Sequence, residues 1–418
     1  MEIKISDDLK KLATAFEDKL YVVGGYVRNA VLKYPCDDID ICAPFDDAKA
    51  AKKCEEIGYK CKVVNEKLGT MIITSPSGEH YEYTPFRKEN YLRGNHAPDK
   101  VEFVDNILLD AKRRDFTCNA VYYNISSAEV FDPYCGIKDT VNGVIKCVET
   151  PLFVFSSDGL RILRLVRFAS ELNFKIDVKT FKTASEMVFQ LNDISAERKL
   201  KELSKIVTAD FKYGATKNDF IKVFNYLNIY PYLFNMISGK FQISTKGQEY
   251  EAFFKLPTEA RLLGFLTLVL INRYAFKYMQ EGQVNGDIMH MFNSLKLSKD
   301  QVSNLTHIYL VLQQLKYKPL NEFIAVSYHN LTKSEQLVIN VFCDVKPVCQ
   351  MLLQLKLNGI PLSVTKLDIT PDEIKEYVPE NRTSQVLKLL FEMCLTGRVK
   401  NENAELIKVL KSIKLSSN

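Results

Sequence analysis

Asp38-Ile39-Asp40 places two carboxylates two residues apart in a segment, Asp38-Ile39-Asp40-Ile41, that reads as a β-strand. Alternate side chains of a strand share a face, so both carboxylates point one way while Ile39 and Ile41 pack underneath. Two carboxylates this close repel each other unless a cation lies between them, and hard oxygen ligands suit Mg2+. A bare Asp-X-Asp is more often an exposed polar strand face, but the glycine pair upstream shifts the balance. Val23-Gly24-Gly25-Tyr26-Val27-Arg28 reads as a strand end, a turn without side chains and a helix start. Backbone N–H groups there can cradle a phosphate, with Arg28 reaching the same anion. Phosphate cradle and carboxylate pair together suggest nucleotidyl transfer.

These residues need a scaffold, and the first 150 positions supply an α/β pattern. Leu20 to Val23, Asp38 to Ile41, Met71 to Thr74, His80 to Thr84, Val101 to Val104 and Val121 to Asn124 read as strands; Asp46 to Ile57 reads as an amphipathic helix. After Gly143 the pattern turns helical, with helices expected over Ser157 to Leu172, Val178 to Leu191 and Ala196 to Thr208. Long apolar-periodic segments then run to the C-terminus, punctuated by Pro231, Pro257, Pro319, Pro361 and Pro371.

The chain of 418 residues is 46% hydrophobic and 26% charged, the composition of a globular protein with room for two or three domains. Its longest apolar stretch, Leu262 to Ile271, is about half of what crosses a bilayer, so a buried helix is expected and no membrane partner. Met1 to Leu20 mixes lysines with Asp7, Asp8, Glu17 and Asp18, unlike a secretion signal or a transit peptide. The ten cysteines include no Cys-X-X-Cys spacing and read as reduced thiols of a cytoplasmic protein. Five histidines, none beside an aspartate, argue against a His-Asp metallohydrolase site. Charge is uneven. Residues 1–150 carry 21 Lys and Arg against 25 Asp and Glu, a balance of −4, and residues 151–418 carry 35 against 26, a balance of +9. An acidic front suits a carboxylate metal site, and a basic rear suits a polyanion.

Several motifs in order resemble the class II tRNA nucleotidyltransferases, the CCA-adding enzymes that share their fold core with bacterial poly(A) polymerases. They are Gly24-Gly25-Tyr26-Val27-Arg28, Asp38-Ile39-Asp40-Ile41 and Arg113-Arg114-Asp115-Phe116-Thr117-Cys118-Asn119-Ala120. Asp158-Gly159-Leu160-Arg161-Ile162-Leu163-Arg164 and Ile194-Ser195-Ala196-Glu197-Arg198 follow, so the resemblance covers roughly residues 20–210. It implies a multidomain α+β chain: a small mixed α/β nucleotidyltransferase head (1–148), an all-α neck (149–210), and an all-α body and tail (211–418). The implied activity is addition of CCA to tRNA 3′ ends from CTP and ATP with Mg2+. A poly(A) polymerase, an enzyme adding only CC or only A, and an inactive RNA-binding protein on the same fold remain alternatives.

By this resemblance Asp38 and Asp40 hold the metal. Glu82 is a third carboxylate or a surface glutamate. Asp115 accepts the ribose 2′-OH or is merely a capping or salt-bridged acid. Arg113, Arg114 and Arg164 join Gly24, Gly25 and Arg28 around the nucleotide, and Asn119 orders the site. Asp158 and Arg161, three apart on the expected helix, share a face. The carboxylate only accepts and the guanidinium only donates, a polarity that matches cytosine and adenine and opposes uracil and guanine. The alternative is a helix start with Asp158 on its dipole. The chain departs from the family at Asn29, where an acid is usual after the arginine; at Ser157, where a Glu orients the base-reading Arg; and at Val154. Its segment Tyr91 to Pro98, in the loop tied to the switch from C to A, is one residue longer than usual.

Overall fold

The computed structural model describes residues 3–36, 38–90, 100–214, 219–235, 237–274 and 281–415, so the Tyr91 to Pro98 segment lies outside the described residues. Two compact units emerge: Met1–Gln242 with Phe292–Lys296, and Ile243–Met291 with Leu297–Asn418.

In the first unit all six expected strands form, among the nine described up to Phe131. The nine are β1 (Tyr21–Val23), β2 (Ile39–Ala43), β3 (Lys60–Asn65), β4 (Thr70–Thr74), β5 (His80–Pro85), β6 (Arg87–Asn90), β7 (Lys100–Phe103), β8 (Tyr122–Asn124) and β9 (Val130–Phe131). Seven of them make one mixed sheet in the order β3-β4-β5-β2-β1-β8-β9, and β6 and β7 pair separately. Within that sheet β2 and β5 run parallel, so Asp40 sits opposite Glu82, while β1 and β2 run antiparallel. Strands β3, β6 and β9 were not expected. β3 (Lys-Cys-Lys-Val-Val-Asn) is a largely exposed edge strand and β6 (Arg-Lys-Glu-Asn) is charged, so neither shows the apolar alternation of a half-buried strand.

Helix α1 (Asp7–Ala15) is capped by the Ser6 hydroxyl, α2 (Gly25–Leu32) starts at the glycine turn, and α3 (Asp47–Glu56) is capped by Asp46. Apolar faces of α1 and α3 close over the sheet, burying Leu9, Leu12 and Phe16 with Val22, Ile41, Tyr81 and Tyr83. The short helices α4 (Ile107–Lys112) and α5 (Gly136–Val141) complete the head. Gly136 is required by close packing, because a Cβ there would lie 2.1 Å from the Thr117 carbonyl oxygen.

The helix expected over Ser157 to Leu172 starts three residues later, as α7 (Leu160–Leu172), and a separate helix, α6 (Pro151–Ser157), precedes it. Asp158 between them is extended (φ −155°, ψ 107°), and its Oδ1 accepts the Leu160 N–H at 3.0 Å. Gly159 lies so close to Gln190 that a Cβ would sit 2.6 Å from its carbonyl oxygen. The extended backbone at Asp158 separates the two helices, and the packing against Gln190 requires glycine at 159. Asp158 and Arg161 therefore do not share a helical face, and the spacing argument for that pair is corrected. Helices α8 (Val178–Glu186), α9 (Ala196–Val207) and α10 (Ala209–Lys212) follow.

The second unit is helical. Its apolar stretch lies in a helix, Thr258–Tyr274, whose Phe265, Leu266, Leu268, Val269 and Leu270 are buried. Three helix starts there carry capping boxes, Ser298 with Gln301, Thr332 with Glu335 and Thr370 with Glu373. No described helix is long and apolar enough to cross a membrane.

Candidate active site

The turn between β1 and α2 determines what can approach it. Gly24 has φ +73°, and a Cβ there would lie 3.6 Å from Asp40 Oδ2 and 3.8 Å from Arg114 Nη1. Those contacts would be ordinary ones, so it is the left-handed backbone that calls for glycine here. Every candidate except Glu82 lines one cavity of about 680 Å3 within the first unit: the glycine turn, the Asp38–Asp40 edge, Arg113 to Asp115, Asn119, and the α6–α7 junction. Glu82 is exposed on β5 beside Asp40 and is not among the lining residues.

Asp38 and Asp40 have no hydrogen-bond partner for their carboxylates among the described residues. Burial, with the charges of Glu82 and Asp38 added, pushes the Asp40 carboxyl up to about 6, even though Arg114 and Arg164 act the other way. A divalent cation would offset that repulsion. Among the described residues no three His, Cys, Asp or Glu converge as a complete ligand set. Mg2+ needs only one or two carboxylates when substrate phosphates and water fill its octahedron, so this two-acid oxygen donor set fits it.

The arginines beyond this edge are held by two other acids. Asp110, fully buried on α4, accepts from Arg113 Nε at 2.8 Å, Arg114 Nη2 at 3.1 Å, the Tyr122 hydroxyl at 2.7 Å and the Arg87 N–H at 3.3 Å. Burial alone would raise its pKa, but the two guanidiniums reverse that and hold it down at about 2. Asp115 accepts the Phe116 N–H at 2.8 Å and Asn119 Nδ2 at 3.1 Å on Oδ1, and Arg164 Nη2 at 2.6 Å on Oδ2. Burial again opposes ionisation, and Arg164 with Asn119 wins, keeping this carboxyl well below the usual range. Arg28 donates to Asn119 Oδ1 at 2.6 Å, so the chain Arg28–Asn119–Asp115–Arg164 is continuous. Phe168 underlies it, with the Arg28, Arg164 and Arg167 guanidiniums 5.3, 5.2 and 4.0 Å from its ring centre.

At the α6–α7 junction Asp158 Oδ2 accepts from Arg198 Nη2 at 2.6 Å. Arg161 Nη1 donates to the Ser157 hydroxyl at 3.0 Å and the Val154 carbonyl at 3.3 Å, and Nη2 donates to the Arg113 carbonyl. Ser157 thus helps to hold Arg161, while its own hydroxyl donates to the Val154 carbonyl at 2.9 Å.

Sequence reasoning missed Asp110, although an acid three and four residues before Arg113 and Arg114 is the spacing of helical ion pairs. It also left Arg198, Phe168, Lys212 and Tyr213 off the candidate set, and all four line the cavity. Nothing local marks Lys212 or Tyr213, which arrive from α10 and the residue after it.

The mixed sheet presents Asp38 and Asp40 beside the Gly24–Gly25 turn, and Arg28, Arg113, Arg114 and Arg164 line the same cavity. Residues 20–146 match the family described as the Poly A polymerase head domain. A CCA-adding enzyme of Streptococcus thermophilus (strain CNRZ 1066) is 36% identical over 216 residues, 51% of this chain and 52% of that one, so the match spans about half of that relative's length. One from Ligilactobacillus salivarius (strain UCC118) is 27% identical over 430 residues, 98% of both chains. The fold matches that of the Bacillus stearothermophilus CCA-adding enzyme in complex with CTP, with TM-score 0.67, 20% identity and 99% of each chain covered. It also matches the Thermotoga maritima CCA-adding enzyme complexed with tRNA, with TM-score 0.64, 19% identity, and 99% of this chain and 97% of that one covered. The chain is thus similar in sequence to CCA-adding enzymes, carries a Poly A polymerase head domain match over residues 20–146, and shares their fold.

Proposed function

We propose that this nucleotidyltransferase adds CCA to tRNA 3′ ends from CTP and ATP, with Mg2+ held by Asp38 and Asp40. The observation that carries the reading is the convergence in one cavity of the glycine turn, the carboxylate pair without a hydrogen-bond partner among the described residues, the arginine chain and the α6–α7 junction. The relatives support it, being named CCA-adding enzymes.

In this reading residues 1–148 are catalytic, residues 149–210 select the base, and the basic residues 211–418 grip RNA backbone in the cytoplasm. The Gly24–Gly25 turn and Arg28 bind the triphosphate, with Arg113, Arg114 and Arg164 supplying positive charge and Asn119 fixing Arg28. When bound, the divalent cation polarises the α-phosphate and lowers the pKa of the attacking 3′-hydroxyl. Asp158 accepts from the exocyclic amine of C or A when Arg198 gives way. Arg161 offers the complementary N–H, held in place by Ser157 and two carbonyls rather than by a shared helical face. Glu82 adds negative charge beside Asp40, and Asp115 accepts the ribose 2′-OH in addition to its internal donors.

The test is purified protein with tRNA transcripts lacking zero, one, two or three terminal nucleotides, each NTP supplied singly and together. Completion of CCA and then a halt is expected. Stopping after CC, adding A alone, or adding A without limit would instead assign a partial enzyme or a poly(A) polymerase. No transfer at all would favour an inactive RNA-binding protein.

A further inference from the structure

Asn29 is nearly inaccessible to solvent, and all four of its amide contacts are made inside the protein. Its Oδ1 accepts from Arg28 Nε at 3.2 Å and Nη2 at 2.9 Å. Its Nδ2 donates to the Pro35 carbonyl at 3.0 Å and to the Tyr213 hydroxyl at 2.8 Å. Two acceptors on the nitrogen side fix which end of the amide faces the guanidinium. A carboxylate could not replace this arrangement without loss, because one of its oxygens would face the Pro35 carbonyl. The local chain is shaped for the purpose. Lys33 ends α2 in the left-handed region (φ 58°), and the Tyr34 N–H returns to the Asn29 carbonyl at 2.9 Å, bringing Pro35 under the amide.

Tyr213 comes from more than 180 residues away in sequence, just after α10. It is anchored by stacking on Tyr34, with ring centres 4.7 Å apart and planes within 18°. The far side of the guanidinium is held by Asn119 Oδ1. Arg28 is therefore clamped between two neutral amides, and among the described residues no carboxylate pairs with it. Its charge stays available to an anion in the cavity.

We propose that Tyr213 is a positioning residue for Arg28, acting through the Asn29 amide; this rests on the reading of Arg28 as a triphosphate ligand. The Tyr213 hydroxyl replaces, by a long-range contact, the orientation that an acid at position 29 would provide by charge. Removing the hydroxyl leaves a buried N–H without an acceptor, frees the amide to twist, and loosens the guanidinium.

The full-length protein tests this with Y213F, which keeps the ring on Tyr34 and removes one oxygen, together with N29A and the double variant. Two measurements are needed: steady-state CTP addition to tRNA, and solvent exchange of the Arg28 Nε–H in arginine-labelled, substrate-free protein by NMR. Y213F is expected to raise KM for CTP about three- to tenfold with kcat within about twofold, and to speed Nε–H exchange by a similar factor. In the N29A background Y213F should add nothing to either. Independent, multiplying effects in the double variant, or unchanged KM and exchange in Y213F, overturn the proposal. If N29A does not fold, exchange in Y213F decides alone. A wild-type protein that transfers no nucleotide counts against the proposed function, whereas exchange needs no substrate and still judges the relay.

Discussion

Two sides of one cavity treat aspartate in opposite ways. On the strand side, Asp38 and Asp40 have carboxylates with no hydrogen-bond partner among the described residues, and the Asp40 carboxyl is pushed up to about 6. On the arginine side, Asp110 and Asp115 accept from internal donors on both oxygens, and Asp110 is held at about 2. Burial penalises ionisation of Asp40 as it does of Asp110 and Asp115. The difference is where the positive charge comes from. Asp110 and Asp115 have it built in as Arg113, Arg114 and Arg164. The strand pair keeps its charge for something that arrives from outside. The first arrangement builds a site, and the second leaves it able to bind.

The largest expected effect breaks the strand side. D38N or D40N should lower nucleotide addition by orders of magnitude at saturating Mg2+, since each removes an oxygen ligand where phosphoryl charge must be stabilised. Stability should not fall, because the substitution removes a repelling charge and no hydrogen bond. Turnover near that of the wild type in either variant would sink the assignment.

The arginine side should fail in the other way. D110N leaves two guanidiniums facing a neutral amide in a fully buried place, and breaking such a pair costs about 3–5 kcal/mol. Denaturant melts should show the loss directly. Because the folded pKa lies below the unfolded one, the stability due to Asp110 is present above about pH 4 and disappears as pH falls toward 2. Melts of the wild type and D110N should converge over that interval. A constant gap would mean that the carboxylate charge is irrelevant.

The strand side reverses the sign. Asp40 has a folded pKa above the unfolded value of about 3.9, so its contribution is full below about pH 4 and is lost as pH rises through 6. Without a divalent cation the wild type should lose roughly 2–3 kcal/mol across that interval relative to D40N. Adding Mg2+ above pH 6 should restore it. A melt insensitive to Mg2+ at pH 7.5 would count against the metal site.

What was legible in the sequence follows the same division. The strand pair is local: Asp38, just before β2, and Asp40, within it, announce themselves with Gly24-Gly25 by spacing alone, and the cavity brings them together. Arg113, Arg114 and Asp115 were legible as a motif, but the acid that holds the two arginines was not noticed. The need for glycine at 159 was invisible because it depends on Gln190 lying against it, a contact between segments about thirty residues apart. Tyr213 was invisible for the same reason. Periodicity reports which face of an element is buried, not which distant side chain will cap it.

The smallest effect concerns Ser157. The family resemblance suggests that S157E would sharpen rejection of UTP by restoring the acid that orients Arg161. The structure argues otherwise, because the Ser157 hydroxyl and the Val154 and Arg113 carbonyls already accept from that guanidinium. Ser157 is also buried, so a longer, charged side chain must displace those carbonyls or stay partly unpaired. S157E should therefore leave the CTP-to-UTP preference within about twofold while lowering stability. S157A removes one of the three acceptors, and a hydrogen bond to a charged group is worth about 1.5–3 kcal/mol at most when nothing replaces it. With two carbonyls remaining, the expected loss of discrimination is only a few-fold. Single-nucleotide incorporation of CTP and UTP by the two variants checks both figures. A marked gain in discrimination by S157E would show that the serine clamp is a weak substitute for the acid, and that Arg161 is less firmly held than these three contacts indicate.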